Sequence, residues 1–371
     1  MHNTCEFEKS AVQDMEKPLP FVFLFFFHCF MSCLAWSQTN MTTDISALLS
    51  LKSYITSDPY NFLANWSVSS SPCSWAGVTC NTRHGRVHSL NLGGMDLKGS
   101  ISPQLGNLSF LVDLDLSKNN FHGQIPQDLV QLRQLRLFNL SYNDFYGQVP
   151  TWIGDLSMLE QLSFRNNSLN GFIPLSLFNL SRLETLDWNS NIIEGTIPLK
   201  IGSLKHLKNL QLSRNKLSGT IPQTISNLSS LELLWLSYNS LSGYIPKDAG
   251  NLVRLEMLDL GANNLHGSIP SNIFNISTLT RVFLDWNVLS GLLPSYLGIG
   301  LSNLQELDLA GNGLTGQIPN SISNASKLIK LDLSSNKFNG VIPTTLKSLT
   351  NLIELDLGEN HLTGLIPDIF N

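Results

Sequence analysis

The sequence predicts an α/β repeat solenoid, a right-handed superhelix with a parallel β-sheet on its concave face, and three observations predict it. A 24-residue unit recurs from Val87 to Asn371, apolar residues hold fixed places within it, and Gly and Pro return at fixed offsets. One copy reads Leu111-x-x-Leu114-x-Leu116-x-x-Asn119-x-Phe121-x-Gly123-x-Ile125-Pro126-x-x-Leu129-x-x-Leu132. Further copies start at Leu135, Leu159, Leu183, Leu207, Leu231, Leu255 and Leu279; one extra residue near Gly298-Ile299-Gly300 delays the next to Leu304, and Leu328 and Leu352 follow. With a weaker copy at Val87 the total is 12, the last cut short at Asn371.

Each part of the unit has a physical reason. A short strand is expected around the fourth and sixth positions, Leu114 and Leu116 in the copy above, with those two inward and their neighbours outward. A single unit cannot bury its apolar side, so units stack and share one core. A period of this length carrying Leu-x-x-Leu-x-Leu-x-x-Asn is a leucine-rich-repeat signature. The ninth-position Asn is present in 11 copies, from Asn119 to Asn360, with Met95 in the first. Its amide can bond the backbone of its own turn and of the next coil, groups that would cost about 1–3 kcal/mol each if buried unbonded. The Gly of Leu-x-Gly-x-Ile-Pro occurs in all 12 copies, Gly99 to Gly364, at a tight bend. The Pro accounts for 11 of the 16 prolines and ends hydrogen bonding along that edge.

On the Leu-x-Gly-x-Ile-Pro segment the chain resembles the plant-specific class of extracellular leucine-rich repeats, which adds a second edge to each coil. That class includes the ectodomains of plant receptor-like kinases, receptor-like proteins and polygalacturonase-inhibiting proteins. The stretch Cys73-Ser74-Trp75-x-Gly77-Val78-x-Cys80 matches the motif of their N-terminal helical disulfide cap, and Asp44 is expected to start a helix with Leu48, Leu49, Leu51 and Ile55 on its apolar face. Residues 38–86 are assigned to this cap and 87–371 to the repeats.

Ahead of the cap, Leu19 to Trp36 is apolar enough to span a bilayer. Its N-terminal place, Lys17 before it and Ala35-Trp36-Ser37 after it favour a signal peptide over 1–37, starting at Met15, above a retained anchor or a core segment. Three of five cysteines precede the expected cleavage, leaving Cys73 and Cys80 as a disulfide pair in a secreted or cell-surface chain. At the other end Leu352, Leu355, Leu357, Leu362 and Ile366 are expected to present apolar surface, as in the front part of a longer receptor whose membrane segment lies further on.

The net charge of −5 and the lack of a basic run exclude a nucleic-acid partner. No phosphate-binding loop, kinase signature, metal motif, cofactor motif or nucleophile elbow is present. His122, His206, His266 and His361 read as solvated side chains without catalytic partners. The five outward positions of the strand segments hold 15 acidic residues and 7 Lys or Arg, with Asp115, Asp187, Asp259, Asp308, Asp332 and Asp356 in one file. Trp235 and Tyr238 recur as Phe283 and Trp286 two coils later, with Asp259, Gly261 and Ala262 between. Two aromatic walls about 10 Å apart are thus expected to flank a floor of small residues and one carboxylate. Arg214 and Arg281 could hold a ligand carboxylate at the rim.

Nine Asn-x-Ser/Thr sequons are candidate glycosylation sites: Asn40, Asn65, Asn107, Asn139, Asn166, Asn179, Asn227, Asn275 and Asn324. Five of these, Asn107, Asn179, Asn227, Asn275 and Asn324, share one place in the unit, where glycans would coat the convex side and leave the strand face open. The resemblance implies a receptor kinase ectodomain of the microbial-peptide-sensing type. Such a receptor takes a peptide or protein ligand on its concave face and then a smaller co-receptor kinase ectodomain. A polygalacturonase-inhibitor-like secreted protein and a kinase-less receptor-like protein are the alternatives.

Overall fold

The computed structural model describes residues 41–368, so the expected signal segment, 1–37, and the sequon at Asn40 lie outside the described residues. Two 13-stranded sheets run side by side along the whole stack. The first starts at Val78–Cys80 and ends at Glu354–Asp356; the second starts at Ile55–Ser57 and ends at His361–Thr363. Each coil gives one strand to each sheet, and the coils pair in parallel, for example Leu186 with Leu210 and then Leu234. The cap closes both sheets with a single antiparallel strand apiece.

The inward alternation is as the unit requires. Leu114 and Leu116 are fully buried, as are their equivalents Phe138 and Leu140. After the second strand ten of the coils return through a 3₁₀ turn, with the Pro at its N-cap in most of them, as at Pro126 and Pro198. There the missing N–H costs nothing and the Pro carbonyl accepts the N–H three residues on. The extra residue of the Leu279 coil is absorbed here: the 3₁₀ turn becomes a short α-helix, Leu297–Gly300.

The recurring Asn behaves as a buried clamp, with one correction of direction. Asn119 donates from Nδ2 to the carbonyls of Leu116 and Ser117 in its own turn and Leu92 in the preceding coil, while its Oδ1 accepts from Leu97 N–H. The partner coil is therefore the preceding one, not the next, because the turn leans back over the strand already laid down. The Gly of Leu-x-Gly-x-Ile-Pro has φ between +73° and +97° from Gly123 onward. It also lies under the side chain that follows the preceding coil's Gly: a Cβ on Gly195 would stand 2.5 Å from the Phe172 ring.

The cap departs from expectation at Asp44. This residue sits inside the helix 41–54 and does not cap it. Its carboxylate is buried, only 1% exposed, and accepts from Arg86 Nε at 2.8 Å, Arg86 Nη2 at 2.7 Å and the Val87 N–H at 3.0 Å. The Arg86 guanidinium in turn stacks on Phe110, 4.8 Å from the ring centroid. This paired charge ties the cap helix to the first coil. Leu48 and Leu51 from that helix are fully buried, whereas Ile55 has left it for the second sheet. Cys73 and Cys80 are disulfide-bonded. At the far end Leu352, Leu355, Leu357 and Leu362 are only partly buried, and Leu365 and Ile366 are exposed.

Candidate functional site

The face of the first sheet carries the expected aromatic constellation in register. Trp235 pairs with Asp259, Asp259 with Phe283, and Phe283 with Asp308, at the fifth position of four successive coils. Trp235 and Phe283 are half-buried. Tyr238 and Trp286 stand at the eighth position and are 52% and 64% exposed. The eighth position is left-handed in coil after coil: φ is +53° at Tyr238, +49° at Ala262 and +49° at Trp286. Large side chains rarely adopt this conformation; here the turn imposes it and aims them off the edge of the sheet.

Their neighbours alter the expected cleft in three ways. First, the outer walls splay. Arg214 lies over the Tyr238 ring, 4.2 Å from its centroid, while the Trp286 indole covers Gly311 of the following coil, where a Cβ would meet it at 2.8 Å. Second, Arg281 is already paired with Glu306, Nε to Oε1 at 3.0 Å, so it faces a carboxylate of the protein itself. Third, the floor is not one carboxylate among small residues. Asp285 folds over Gly261, its Oδ1 2.5 Å from where a Cβ would be, placing a second carboxylate beside Asp259. Asp285 was not singled out in the sequence. Its signal was available: it is the one carboxylate at the seventh position, where other coils mostly have Ser, Gly, Ala or Asn.

Neither Asp259 nor Asp285 forms an ion pair among the described residues, although Arg214 draws Asp259 down and Lys330 draws Asp285 down. Burial pushes the Asp285 carboxyl up to about 6, with repulsion from Asp308 and Asp259 adding to it. Burial also raises Asp259, opposed by hydrogen bonds from Ser237 Oγ and the Gly261 N–H, and it raises Asp308 and Asp187. Lys330 bridges Asp308 at 3.3 Å and Glu354 at 3.2 Å. Other cations of the face are also spent on pairs, Lys208 with Glu184 and Arg136 with Glu160.

The Asp file has a second role that periodicity did not disclose. At the fifth position a side-chain oxygen accepts the N–H two residues on: Asp115 from Ser117, Asp187 from Asn189, Asp259 from Gly261, Asp308 from Ala310, Asp332 from Ser334 and Asp356 from Gly358. Asn91 and Asn139 do the same. The file is thus a row of Asx turns that end eight of the strands as well as a row of charges.

The described sequons fall in three places. Asn107, Asn179, Asn227, Asn275 and Asn324 each end a 3₁₀ turn and are exposed, on the side away from the first sheet. Asn139 and Asn166 lie on the first sheet's face and its margin. Asn65 is held within the cap, its Nδ2 donating to the Ser74 carbonyl. Among the described residues no cluster of His, Cys, Asp and Glu is arranged to hold a metal, and no helix is long and apolar enough to cross a membrane.

Comparison with known proteins agrees with this architecture. A leucine-rich-repeat N-terminal domain model matches residues 41–81, and leucine-rich-repeat models match 110–132, 158–180, 205–265, 303–325 and 326–371. The LRR receptor-like serine/threonine-protein kinase EFR of Arabidopsis thaliana is 49% identical over 94 residues, 25% of this chain and 9% of that protein. The solved ectodomain of the Arabidopsis receptor kinase GASSHO1/SCHENGEN3, in complex with CASPARIAN STRIP INTEGRITY FACTOR 2, superposes with a TM-score of 0.82 at 36% identity, covering 88% of this chain and 42% of that one. The Arabidopsis HAESA ectodomain with an extended IDA peptide hormone gives 0.76 at 32% identity, covering 89% and 59%. HAESA with IDA and the co-receptor SERK1 gives 0.58 at 30%, covering 88% and 67%. This chain therefore spans only a small part of the length of the curated relative and less than two thirds of the first two ectodomains. The chain belongs to the leucine-rich-repeat family, in the form carried by the ectodomains of plant receptor-like kinases.

Proposed function

We propose that this chain is ligand-sensing ectodomain sequence of a plant receptor-like kinase, displayed on the extracellular side of the plasma membrane, and that it is a binding surface rather than an enzyme. It takes a peptide across the first sheet's face around the coils that start at Leu231, Leu255 and Leu279, and a co-receptor kinase ectodomain joins the complex. The observation that carries this reading is the registered row Trp235–Asp259–Phe283, flanked by exposed Tyr238 and Trp286 on a rigid sheet. Aromatic side chains fixed on a stiff surface lose little entropy on binding and make typical anchors. The peptide ligands in the GASSHO1 and HAESA complexes and the co-receptor with HAESA support the same reading. The carboxylates Asp259 and Asp285, neither of which closes an ion pair among the described residues, favour a ligand that brings a cationic group to the patch.

The test is a binding titration of the secreted protein with its cognate peptide. Trp286→Ala should weaken binding by roughly 30-fold, about 2 kcal/mol, with little change in melting temperature. Asp115→Ala, on the same face several coils away, should matter less. Wild-type binding by both Trp286→Ala and Trp235→Ala would place the ligand elsewhere.

A further inference from the structure

We propose that Asn139 and Asn166 carry N-linked glycans that stand on the first sheet's face and close the coils that start at Leu135 and Leu159 to ligand, leaving the aromatic patch open. The inference rests on the extracellular reading above and adds a boundary to it. The sequons are Asn139-Leu140-Ser141 and Asn166-Asn167-Ser168, on consecutive coils. Asn139 ends the strand Leu137–Asn139 at the fifth position, the file that further along holds Trp235, Asp259 and Phe283. Asn166 sits at the eighth position with φ +53°, the file of Tyr238 and Trp286. A sugar on either residue therefore leaves the protein from the surface that presents the anchors.

The fold leaves these amides available. Asn139 uses only Oδ1, which accepts the Ser141 N–H at 3.1 Å. Its Nδ2 makes no hydrogen bond among the described residues, so a glycan there leaves the turn intact. The Asn166 side chain likewise makes none among the described residues, and its left-handed backbone suits Asn better than most residues. The clamp Asn of the same coil as Asn139 is the contrast: Asn143 spends Nδ2 on three carbonyls, of Leu116, Leu140 and Ser141. The Asn166 coil lies three strand spacings before the Trp235 coil, about 14 Å, and the Asn139 coil four, about 19 Å. Glycans at these points shade the coils from Leu135 to Leu159, and their roots lie three and four coils short of the Trp235 coil. From Leu183 to the last coil, the strand positions that face outward carry no sequon.

Glycopeptide mass spectrometry of the full chain secreted from plant cells should find both asparagines occupied. Unmodified Asn139 and Asn166 would overturn the proposal. Hydroxyl-radical footprinting before and after enzymatic glycan removal then reads shielding without any ligand. Oxidation of Tyr142, 40% exposed between the two sites, should rise on removal, while Tyr238 and Trp286 stay unchanged. Equal oxidation of Tyr142 in both states would also overturn it. Two variants keep the result interpretable. Asn139→Asp deletes the sequon but keeps the turn acceptor that other coils use, so folding should survive. Gln211→Asn creates Asn-Leu-Ser at the fifth position beside Trp235, and its glycan should shield Tyr238. If the Gln211→Asn variant is glycosylated at its new sequon while Asn139 stays bare, the proposal falls and the receptor reading stands. If the glycans are present but Trp286→Ala binds normally, the receptor-site reading falls instead.

Discussion

The first and last described coils differ in what lies against their outer sides. At the N-terminal end the first coil is covered by a helix, an antiparallel strand on each sheet, a disulfide and the buried Asp44–Arg86 pair. At the other end the last described coil repeats the core residues of its neighbours but has nothing against its outer side among the described residues. Leu331 and Leu355 occupy the same position in adjacent coils and pair in register, yet Leu331 is fully buried and Leu355 is not. Burial in this fold is a property of having two neighbouring coils, not of the residue.

The largest break should come at the covered end. Arg86→Ala leaves Asp44 as a buried carboxylate without its counter-charge, keeping only the Val87 N–H among the partners named above, and loss of one partner of a buried pair typically costs about 3–5 kcal/mol. Hydrogen exchange should show the cap and first coils losing protection while central coils keep theirs. Core truncation sharpens the contrast next: Leu331→Ala should cost about 2–5 kcal/mol, and Leu355→Ala clearly less. Denaturation of both variants checks this, and equal losses would mean that the last coil is packed as tightly as the one before it. In the wild-type chain the last coil should show the least amide protection. Removing the disulfide with Cys73→Ser and Cys80→Ser should cost about 2 kcal/mol, because the loop it closes is short. On the intact protein a thiol assay should find neither Cys73 nor Cys80 reactive.

The smallest effect belongs to the face between the ends. The Asp285 carboxyl is raised from 3.8 to about 6 by burial and by its acidic neighbours, so the folded state holds a proton that the unfolded chain releases. The associated stability is present below pH 4 and is lost as pH rises through about 6. Asp285→Asn should flatten that part of the pH–stability curve without changing its acid limb. Binding of a cationic ligand should run the other way and tighten as pH rises past 6, when the carboxylate ionises.

Most of the fold was legible because each coil repeats the same local problem. The period placed the strand of each coil in the first sheet, the extra residue near Ile299 marked the one coil with an α-helical return, and two cysteines left one pairing; the cap strands Ile55–Ser57 and Val78–Cys80 lie outside the period. The misses are contacts that no single unit contains. Asp44 reads as a helix start because its partner Arg86 lies 42 residues away, just before the first coil's strand Val87–Asn91. The clamp Asn was assigned to the wrong neighbouring coil because periodicity is blind to direction. In the candidate site the register of Trp235, Asp259 and Phe283 was legible. The pairing of Arg281 with Glu306, the lean of Trp286 over Gly311 and the reach of Asp285 over Gly261 were not. Each depends on which way a side chain turns toward an adjacent coil.

The Asp or Asn acceptor that ends eight of the strands separates two kinds of information. In eight coils the N–H of the seventh position is satisfied by Asp or Asn at the fifth, and for that purpose a carboxylate oxygen and an amide oxygen are equivalent. Exchanging one for the other changes the charge of the face by one and leaves the turn intact. Where the residue after next is Ser, as at Asp115 and Asp332, the exchange to Asn also writes a glycosylation signal. A lineage can therefore redraw the charge and the accessible extent of this surface one coil at a time, by single substitutions that the scaffold does not feel.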